Sequence, residues 1–160
     1  MRVLPADRGL RLIVYCDGAA RGNPGPAGIG VVITGEDGTE VDRIAEGIGV
    51  ATNNVAEYRA AIAGLARAVE LGATAVLLRS DSRLLVEQLS GRFRVKNPTL
   101  QRLHTEAMAL LSGFERYQIE HVPRESNKEA DRAANEGVDV WLAGEGVDYV
   151  PPEPAPRLWE

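Results

Sequence analysis

The chain reads RLIVYCDGAARGNPGPAGIGVVIT from Arg11 to Thr34, and this stretch decides the fold. Residues 11–16 are a short run of β-forming side chains, which predicts a buried strand that ends at Asp17. The Gly-Asn-Pro-Gly-Pro sequence at residues 22–26 is a strong turn signal. Residues 27–34 predict a second strand, so this stretch begins an antiparallel meander.

The pattern beyond Thr34 extends the meander into a mixed sheet. A turn at residues 36–39 leads to a third strand over 40–48, and later apolar runs predict strands over 75–80 and 117–123. Four helices are predicted. The first begins after Thr52-Asn53-Asn54, any of which could cap it, and is closed by Gly72. The second is capped by Ser82 and ends near Leu89, and the third opens at Asn97-Pro98. The fourth runs from Ser126 or Asn127 to about Val138. The order predicts an α/β fold with a five-stranded sheet, three antiparallel strands and then two parallel ones, flanked by helices.

The length of 160 residues suits one domain with one core. We predict an N-terminal extension over residues 1–10, the domain over 11–138, and an acidic, Pro-rich tail over 139–160. The tail composition favours a mobile segment. Docking on the domain is the alternative, because Trp141 and Trp159 offer apolar surface.

The net charge of −5 comes largely from the C-terminal end. Residues 138–160 hold five acidic residues and one basic residue, which leaves 17 basic and 18 acidic residues in 1–137. An acidic chain can therefore still present a phosphate-binding face.

The composition indicates a soluble globular protein without a membrane segment or signal core, which we expect to be a cytoplasmic monomer. The single cysteine, Cys16, excludes an internal disulfide and a Cys-based zinc cluster.

Four acidic residues lie where an α/β sheet would gather a site. Asp17 and Asp81 each follow an apolar strand, and ligands of open α/β sheets bind at the carboxyl ends of parallel strands. Glu57 lies in the first turn of its helix, and Asp131 lies early in the last helix among small alanines. Taken singly, such residues are as often helix caps, turn formers or solvent-exposed charges.

The sequence around these acids resembles the type 1 ribonuclease H family over roughly residues 11–137. The resemblance rests on four blocks in the family's order: YCDGAARGNPGPAGIG at 15–30, TNNVAEY at 52–58, RSDS at 79–82 and NKEADRAA at 127–134. It implies a ribonuclease H-like fold and an endonuclease that cuts the RNA strand of RNA/DNA hybrids, leaving 5′-phosphate and 3′-hydroxyl ends. A related metal-dependent nuclease of the same fold is the first alternative. A hybrid-binding module without catalysis is the second, although none of the four acids is missing.

The resemblance also implies roles for particular residues. Asp17, Glu57, Asp81 and Asp131 would hold two Mg²⁺ ions, with Mn²⁺ as a substitute and no organic cofactor. Carboxylates suit this role because Mg²⁺ prefers hard oxygen ligands. The substrate would be bound by residues of the first turn and of the helix start: Gly18, Ala19, Asn23, Thr52, Asn53 and Asn54. For Asn23 and Asn53, a turn residue and a helix cap are the structural alternatives.

The chain departs from the family at two places. The basic helix and loop of larger members is reduced to residues 91–97, where Arg92, Arg94 and Lys96 surround Phe93. This segment is a small phosphate-contacting patch or a plain solvated loop. The loop that often carries a histidine is shortened, so we expect Arg124 to take its catalytic place and His121 to be a strand residue.

Overall fold

The computed structural model describes residues 9–152 of the chain. Within them, strands and helices follow in the predicted order: β1 Leu10–Ala20, β2 Gly25–Thr34, β3 Glu40–Ala51, α1 Asn53–Glu70, β4 Ala73–Ser80, α2 Arg83–Leu89, α3 Pro98–Ser112, β5 Arg116–His121 and α4 Lys128–Ala143. The predicted caps are confirmed at Ser82 and Asn97, whose side chains accept hydrogen bonds from Leu85 N–H and Leu100 N–H. In this described part of the chain, no helix has the length and apolar character that crossing a bilayer requires.

The sheet has five strands in the order β3-β2-β1-β4-β5. β2 pairs antiparallel with both β1 and β3, whereas β4 pairs parallel with both β1 and β5. The predicted mixed sheet, with a meander followed by parallel strands, is confirmed. Its parallel half positions the candidate site because the β1–β4 ladder ends at the pair Cys16–Ser80.

Helices cover the two faces of the sheet. α1 packs on β1 and β2 and is backed by α3, and the core between them is closed by fully buried side chains such as Tyr58, Leu65 and Leu111. α4 packs on the other face, over β2 and β3. The metal-site candidates on α1 and α4 therefore approach the sheet from opposite sides.

α4 lies unusually near the sheet because the facing residues are small. A Cβ atom at Gly30 of β2 would overlap the backbone of Ala130 and Ala134. Gly30 is also the cross-strand partner of Asp17. The close approach that the small residues around Asp131 predict is therefore confirmed, and it brings the start of α4 next to Asp17.

Several element ends differ from the sequence prediction, and two of them bear on the candidate site. β1 does not end at Asp17 but continues to Ala20, because Gly18–Ala20 remain paired with β2. α4 does not end near Val138 but runs to Ala143, and its Trp141 ring lies 6.0 Å from the ring of Tyr149. The acidic composition after Val138 suggested an end, but contacts of Trp141 stabilise another helical turn. Residues 1–8 of the predicted N-terminal extension and residues 153–160 of the predicted tail, with Trp159, lie outside the described residues.

Candidate active site

The parallel pairing of β1 and β4 places Asp17 next to Asp81. The ladder between these strands ends at the pair Cys16–Ser80, and each aspartate is the next residue. Asp17 is buried at 5% exposure, because it remains within the β1–β2 ladder and beneath α1 and α4. Asp81 lies beyond the end of β4 and is half-buried.

Glu57 is held against β1 by a backbone hydrogen bond. Its Oε1 accepts from Gly18 N–H at 2.8 Å. This contact requires glycine, because a Cβ atom at Gly18 would overlap the backbone of Ala56 and Glu57. The other carboxylate oxygen, Oε2, is buried and has no hydrogen-bond partner within residues 9–152. A buried carboxylate oxygen without a donor is unfavourable in a protein interior unless a cation lies beside it.

Asp17, Glu57 and Asp81 form a cluster whose nearest ligand oxygens all lie within 4.8 Å of one another. Burial, and then the negative charge of Glu57, raises the pKa of Asp17 well above its ordinary value. Burial is also the main cause that raises the pKa of Glu57. Three crowded carboxylates, of which Asp17 and Glu57 have raised pKa values, fit a hard divalent cation, which would relieve both the repulsion and the unpaired oxygen of Glu57.

Asp131 joins this group from the opposite face of the sheet. The start of α4 is fixed by the buried Asn127, whose Nδ2 donates to the carbonyl oxygen of Cys16 at 3.0 Å. Asp131 N–H in turn donates to Asn127 O at 3.1 Å. The neighbouring Asp131 carboxylate adds to the raised pKa of Asp17, after burial and Glu57. Asp131 thus adjoins the three-carboxylate cluster without being one of its members.

The predicted substrate residues form a second polar group beside the carboxylates. Thr52 caps α1 by accepting from Val55 N–H at 3.2 Å. The Asn53 side chain does not serve as that cap, because its Oδ1 accepts from Ala20 N–H at 3.1 Å. The Oδ1 of Asn23 accepts from Asn53 N–H at 3.0 Å, and Asn54 is exposed in the first turn of α1. The turn after β1 is therefore fastened to the start of α1.

The shortened loop before α4 places Arg124 and His121 differently. Arg124 begins a short 3₁₀ turn, Arg124–Ser126, and its exposed side chain borders the same cleft as the carboxylates. His121 is a strand residue, as the sequence predicted, but β5 ends at it and not at Pro123, and it does not line that cleft.

An open cleft of about 630 Å³ collects these groups. Its lining contains nine of the eleven residues predicted as catalytic or substrate-binding; the two that do not line it are Asn23 and Thr52. The lining also contains three residues that the sequence analysis did not assign to the site, Ala20, Ser82 and Asn135. The lining residues are Asp17, Gly18, Ala19, Ala20, Asn53, Asn54, Glu57, Asp81, Ser82, Arg124, Asp131 and Asn135. Asn135 could have been found from its position four residues after Asp131, on the same helical face.

The small basic patch between α2 and α3 lies away from this cleft. Arg92 is ion-paired with Glu87 at 2.5 Å, and Phe93 is 48% exposed. The Arg94 carbonyl oxygen accepts from Gln88 Nε2 at 3.3 Å, which fixes the backbone of the loop.

The raised pKa of Asp17 predicts a pH-dependent stability change in Asp17→Asn. Well below pH 4 the carboxyl is protonated in both folded and unfolded chains, so the side chain does not make the free energy of unfolding depend on pH there. At higher pH the unfolded chain releases this proton more readily than the folded one, so wild-type stability falls as pH rises toward the folded pKa. In EDTA, we expect the Tm advantage of Asp17→Asn to grow from pH 4 to pH 8. One unit of pKa difference between the folded and unfolded chain corresponds to about 1.4 kcal/mol, or to a change in Tm of about 3–6 °C at about 2–4 °C per kcal/mol.

Thermal unfolding followed by circular dichroism measures this effect. Adding Mg²⁺ should narrow the difference at pH 8, because the cation stabilises the wild-type carboxylates. A Tm difference that stays constant over the whole pH range would contradict the raised pKa.

Comparison with known proteins agrees with this geometry. A family model described as Reverse transcriptase-like matches residues 15–137. The chain is 47% identical over 137 residues to a Ribonuclease HI of Halobacterium salinarum, covering 86% of this chain and 69% of that protein. It is 48% identical over 143 residues to the bifunctional protein Rv2228c of Mycobacterium tuberculosis, covering 89% of this chain but only 39% of that protein.

Solved structures give the same result. The N-terminal RNase H domain of Rv2228c from Mycobacterium tuberculosis superposes with a TM-score of 0.79 at 50% identity, covering 81% of this chain and all of that one. LC11-RNase H1 in complex with an RNA/DNA hybrid superposes with a TM-score of 0.78 at 42% identity, covering 82% and 99%. The sheet order and these superpositions define the class of the protein, a ribonuclease H fold. Within this class, the chain belongs to the type 1 ribonuclease H family.

Proposed function

We propose that this chain is an endoribonuclease that hydrolyses the RNA strand of RNA/DNA hybrids with divalent metal ions. The observation that carries the proposal is the cluster of Asp17, Glu57 and Asp81 within 4.8 Å, adjoined by Asp131, in an open polar cleft. Family membership supports the reaction, and the hybrid bound in the LC11-RNase H1 structure supports the substrate.

The four carboxylates are the proposed metal ligands. Two Mg²⁺ ions, or Mn²⁺ in their place, would be held by Asp17, Glu57, Asp81 and Asp131. When bound, such a pair of ions activates water and stabilises the leaving oxygen of an in-line phosphodiester displacement. Departure of the 3′ oxygen of the ribose would leave 5′-phosphate and 3′-hydroxyl ends.

The protein's own contribution is to hold its acceptors in place before substrate arrives. Gly18 N–H fixes one oxygen of Glu57, and the other is buried without a hydrogen-bond partner within residues 9–152. Asn127 fixes the start of α4 to the backbone just before Asp17. Such fixed geometry lowers the reorganisation that the reaction requires.

The hybrid would lie along the polar group beside the carboxylates. Its proposed contacts are Gly18, Ala19, Asn23, Thr52, Asn53 and Asn54. The Oδ1 atoms of Asn23 and Asn53 accept from backbone N–H groups, so their Nδ2 groups can donate to the substrate. Donors aimed into the wide, shallow minor groove of an A-like duplex can recognise the 2′-hydroxyl, which distinguishes RNA from DNA.

Cleavage of an end-labelled RNA/DNA hybrid tests the proposal. We expect RNA cleavage with Mg²⁺ or Mn²⁺, none with EDTA, and product RNA that carries 5′-phosphate and 3′-hydroxyl ends. Cleavage of DNA/DNA duplex at a comparable rate would favour the related-nuclease alternative. Tight hybrid binding without cleavage at any metal concentration would favour the binding module.

Arg124 is the proposed additional catalytic residue, because its side chain borders the cleft. We expect Arg124→Ala to lower kcat by at least about 100-fold, the lower end of what a positioned catalytic side chain contributes, with Mn²⁺ affinity in calorimetry close to that of wild type. The matched variant His121→Ala should retain near-wild-type kcat, because His121 lies outside the cleft lining. If His121→Ala were the damaging change, the assignment of this loop would be wrong.

A further inference from the structure

Arg21 connects the turn that follows β1 to helix α4. Its Nη1 lies 2.7 Å from Asp139 Oδ1, and its Nη2 donates to the carbonyl oxygen of Asn135 at 3.2 Å. The same Nη2 lies 3.5 Å from Asn135 Oδ1. One guanidinium therefore contacts two successive turns of α4.

Asn135 continues this connection to the metal site. Its Nδ2 donates to the Asp131 carbonyl oxygen at 3.1 Å and to Asp131 Oδ1 at 3.4 Å. Asp131, Asn135 and Asp139 are spaced by four residues, which puts them on one face of the helix. A continuous polar chain thus runs from Asp139 through Arg21 and Asn135 to Asp131.

The position of the Asp131 carboxylate depends on these contacts. It adjoins the cluster of Asp17, Glu57 and Asp81 from another helix, and it is not within that cluster's 4.8 Å limit. Its position relative to Asp17 therefore depends on how α4 is held at this point. Side chains that orient a metal ligand commonly change metal affinity or activity by about 10- to 100-fold when removed.

The Arg21 end of this polar chain lies in the turn that is proposed to bind the substrate. Asn23, two residues later, accepts from Asn53 N–H and thereby joins this turn to α1. Arg21 joins the same turn to α4. The turn that would contact the hybrid is therefore linked to the helix that carries Asp131.

We propose that Arg21 is a positioning residue that, together with Asp139 and through Asn135, sets the Asp131 carboxylate for metal binding. The inference rests on the proposed function, since Asp131 is a metal ligand only if that function is correct. Arg21 does not line the cleft itself, and it acts through the Asn135 contacts. The Arg21–Asp139 pair is 41% and 66% exposed, so it contributes little to overall stability.

A direct phosphate contact by Arg21 is the competing role, and the two roles predict opposite effects of Asp139→Asn. If Arg21 positions Asp131, the loss of the Asp139 charge weakens the same polar chain, and metal affinity and activity fall as they do in Arg21→Gln. If Arg21 binds phosphate, losing Asp139 removes a competing anion and lowers the KM for hybrid.

The test compares Arg21→Gln, Asp139→Asn, their double variant and Arg43→Gln. Arg43→Gln is the matched control, because Arg43 of β3 likewise forms an ion pair with a residue of α4. Its partner is Glu129, at 3.0 Å, and Arg43 does not contact Asp131. The measurements are Mn²⁺ affinity of the free protein by calorimetry, the Mg²⁺ concentration for half-maximal rate, kcat and KM for hybrid, and Tm.

We expect Arg21→Gln to need roughly 10-fold more Mg²⁺ and to bind Mn²⁺ correspondingly weakly. Its KM at saturating Mg²⁺ and its Tm should stay close to the wild-type values. Asp139→Asn should show a smaller shift in the same direction, the double variant should be no worse than Arg21→Gln, and Arg43→Gln should match wild type. If Arg21→Gln does not fold, Arg21→Lys, which keeps the charge but not the forked donor, should show the same metal shift.

Wild-type metal affinity in Arg21→Gln, or a lower KM in Asp139→Asn, would overturn the inference. The proposed function fails separately, if wild-type protein does not cleave hybrid. In that case the Mn²⁺ calorimetry still decides whether Arg21 positions Asp131.

Discussion

Asp17→Asn is expected to reduce the rate of hybrid cleavage at least about a thousandfold, a loss of about 4 kcal/mol of transition-state stabilisation. Asp17 lies at the centre of the site: it follows the last β1–β4 pair, lies under α1 and α4, and is near both Glu57 and Asp131. Asparagine keeps the shape but removes the charge that would bind cations. Single-turnover cleavage of a labelled hybrid at saturating Mg²⁺ measures the effect.

The matched control is Asp37→Asn, the same chemical change in the β2–β3 turn. Asp37 accepts from Thr39 N–H at 3.0 Å and lies outside the cleft lining. The control should cleave at the wild-type rate. A folded Asp17→Asn protein that cleaves at the wild-type rate would refute the carboxylate mechanism.

Replacing the ribonucleotides around the scissile bond with deoxyribonucleotides is expected to abolish cleavage at that bond. The reason is the proposed donation from Asn23 and Asn53 to the 2′-hydroxyl, a group that DNA lacks. A site built to hydrogen-bond a hydroxyl discriminates strongly against the analogue without it, by about 10⁴–10⁵-fold in favourable cases.

The substrate series is a chimeric strand with a block of ribonucleotides that is moved along the duplex. Cleavage should follow the block, and an all-DNA duplex of the same sequence should remain intact. Continued cutting within the deoxyribonucleotide segment would identify a general nuclease and remove the 2′-hydroxyl from the recognition argument.

The sequence predicted that Asp17 and Asp81 lie together at the edge of the parallel strands because this depends on local patterns, although β1 itself continues to Ala20. Apolar runs followed by an acid place that acid at the edge of a parallel sheet wherever the strands pair. The same is true of the caps at Ser82 and Asn97, which depend on a few neighbouring residues.

What sequence could not predict depends on contacts between distant segments. Asn53 is a good cap residue, yet Thr52 is the cap, because the Asn53 side chain instead accepts a hydrogen bond from Ala20 N–H of β1. Asp139 belongs to a stretch whose composition suggested a tail, but packing of Trp141 extends α4 and brings Asp139 to Arg21. Local propensity carries no information about such partners.

The bond from Asn127 to the Cys16 carbonyl has a consequence for biosynthesis. It joins residues 111 positions apart and holds the helix that brings in the last of the four acids. Asp131 is translated 114 residues after Asp17, a delay of roughly 6 to 23 s at about 5–20 residues per second. A ribosome-bound fragment that lacks this helix has three of the four acids at most, so the proposed nuclease centre of the growing polypeptide is incomplete while it is next to messenger RNA.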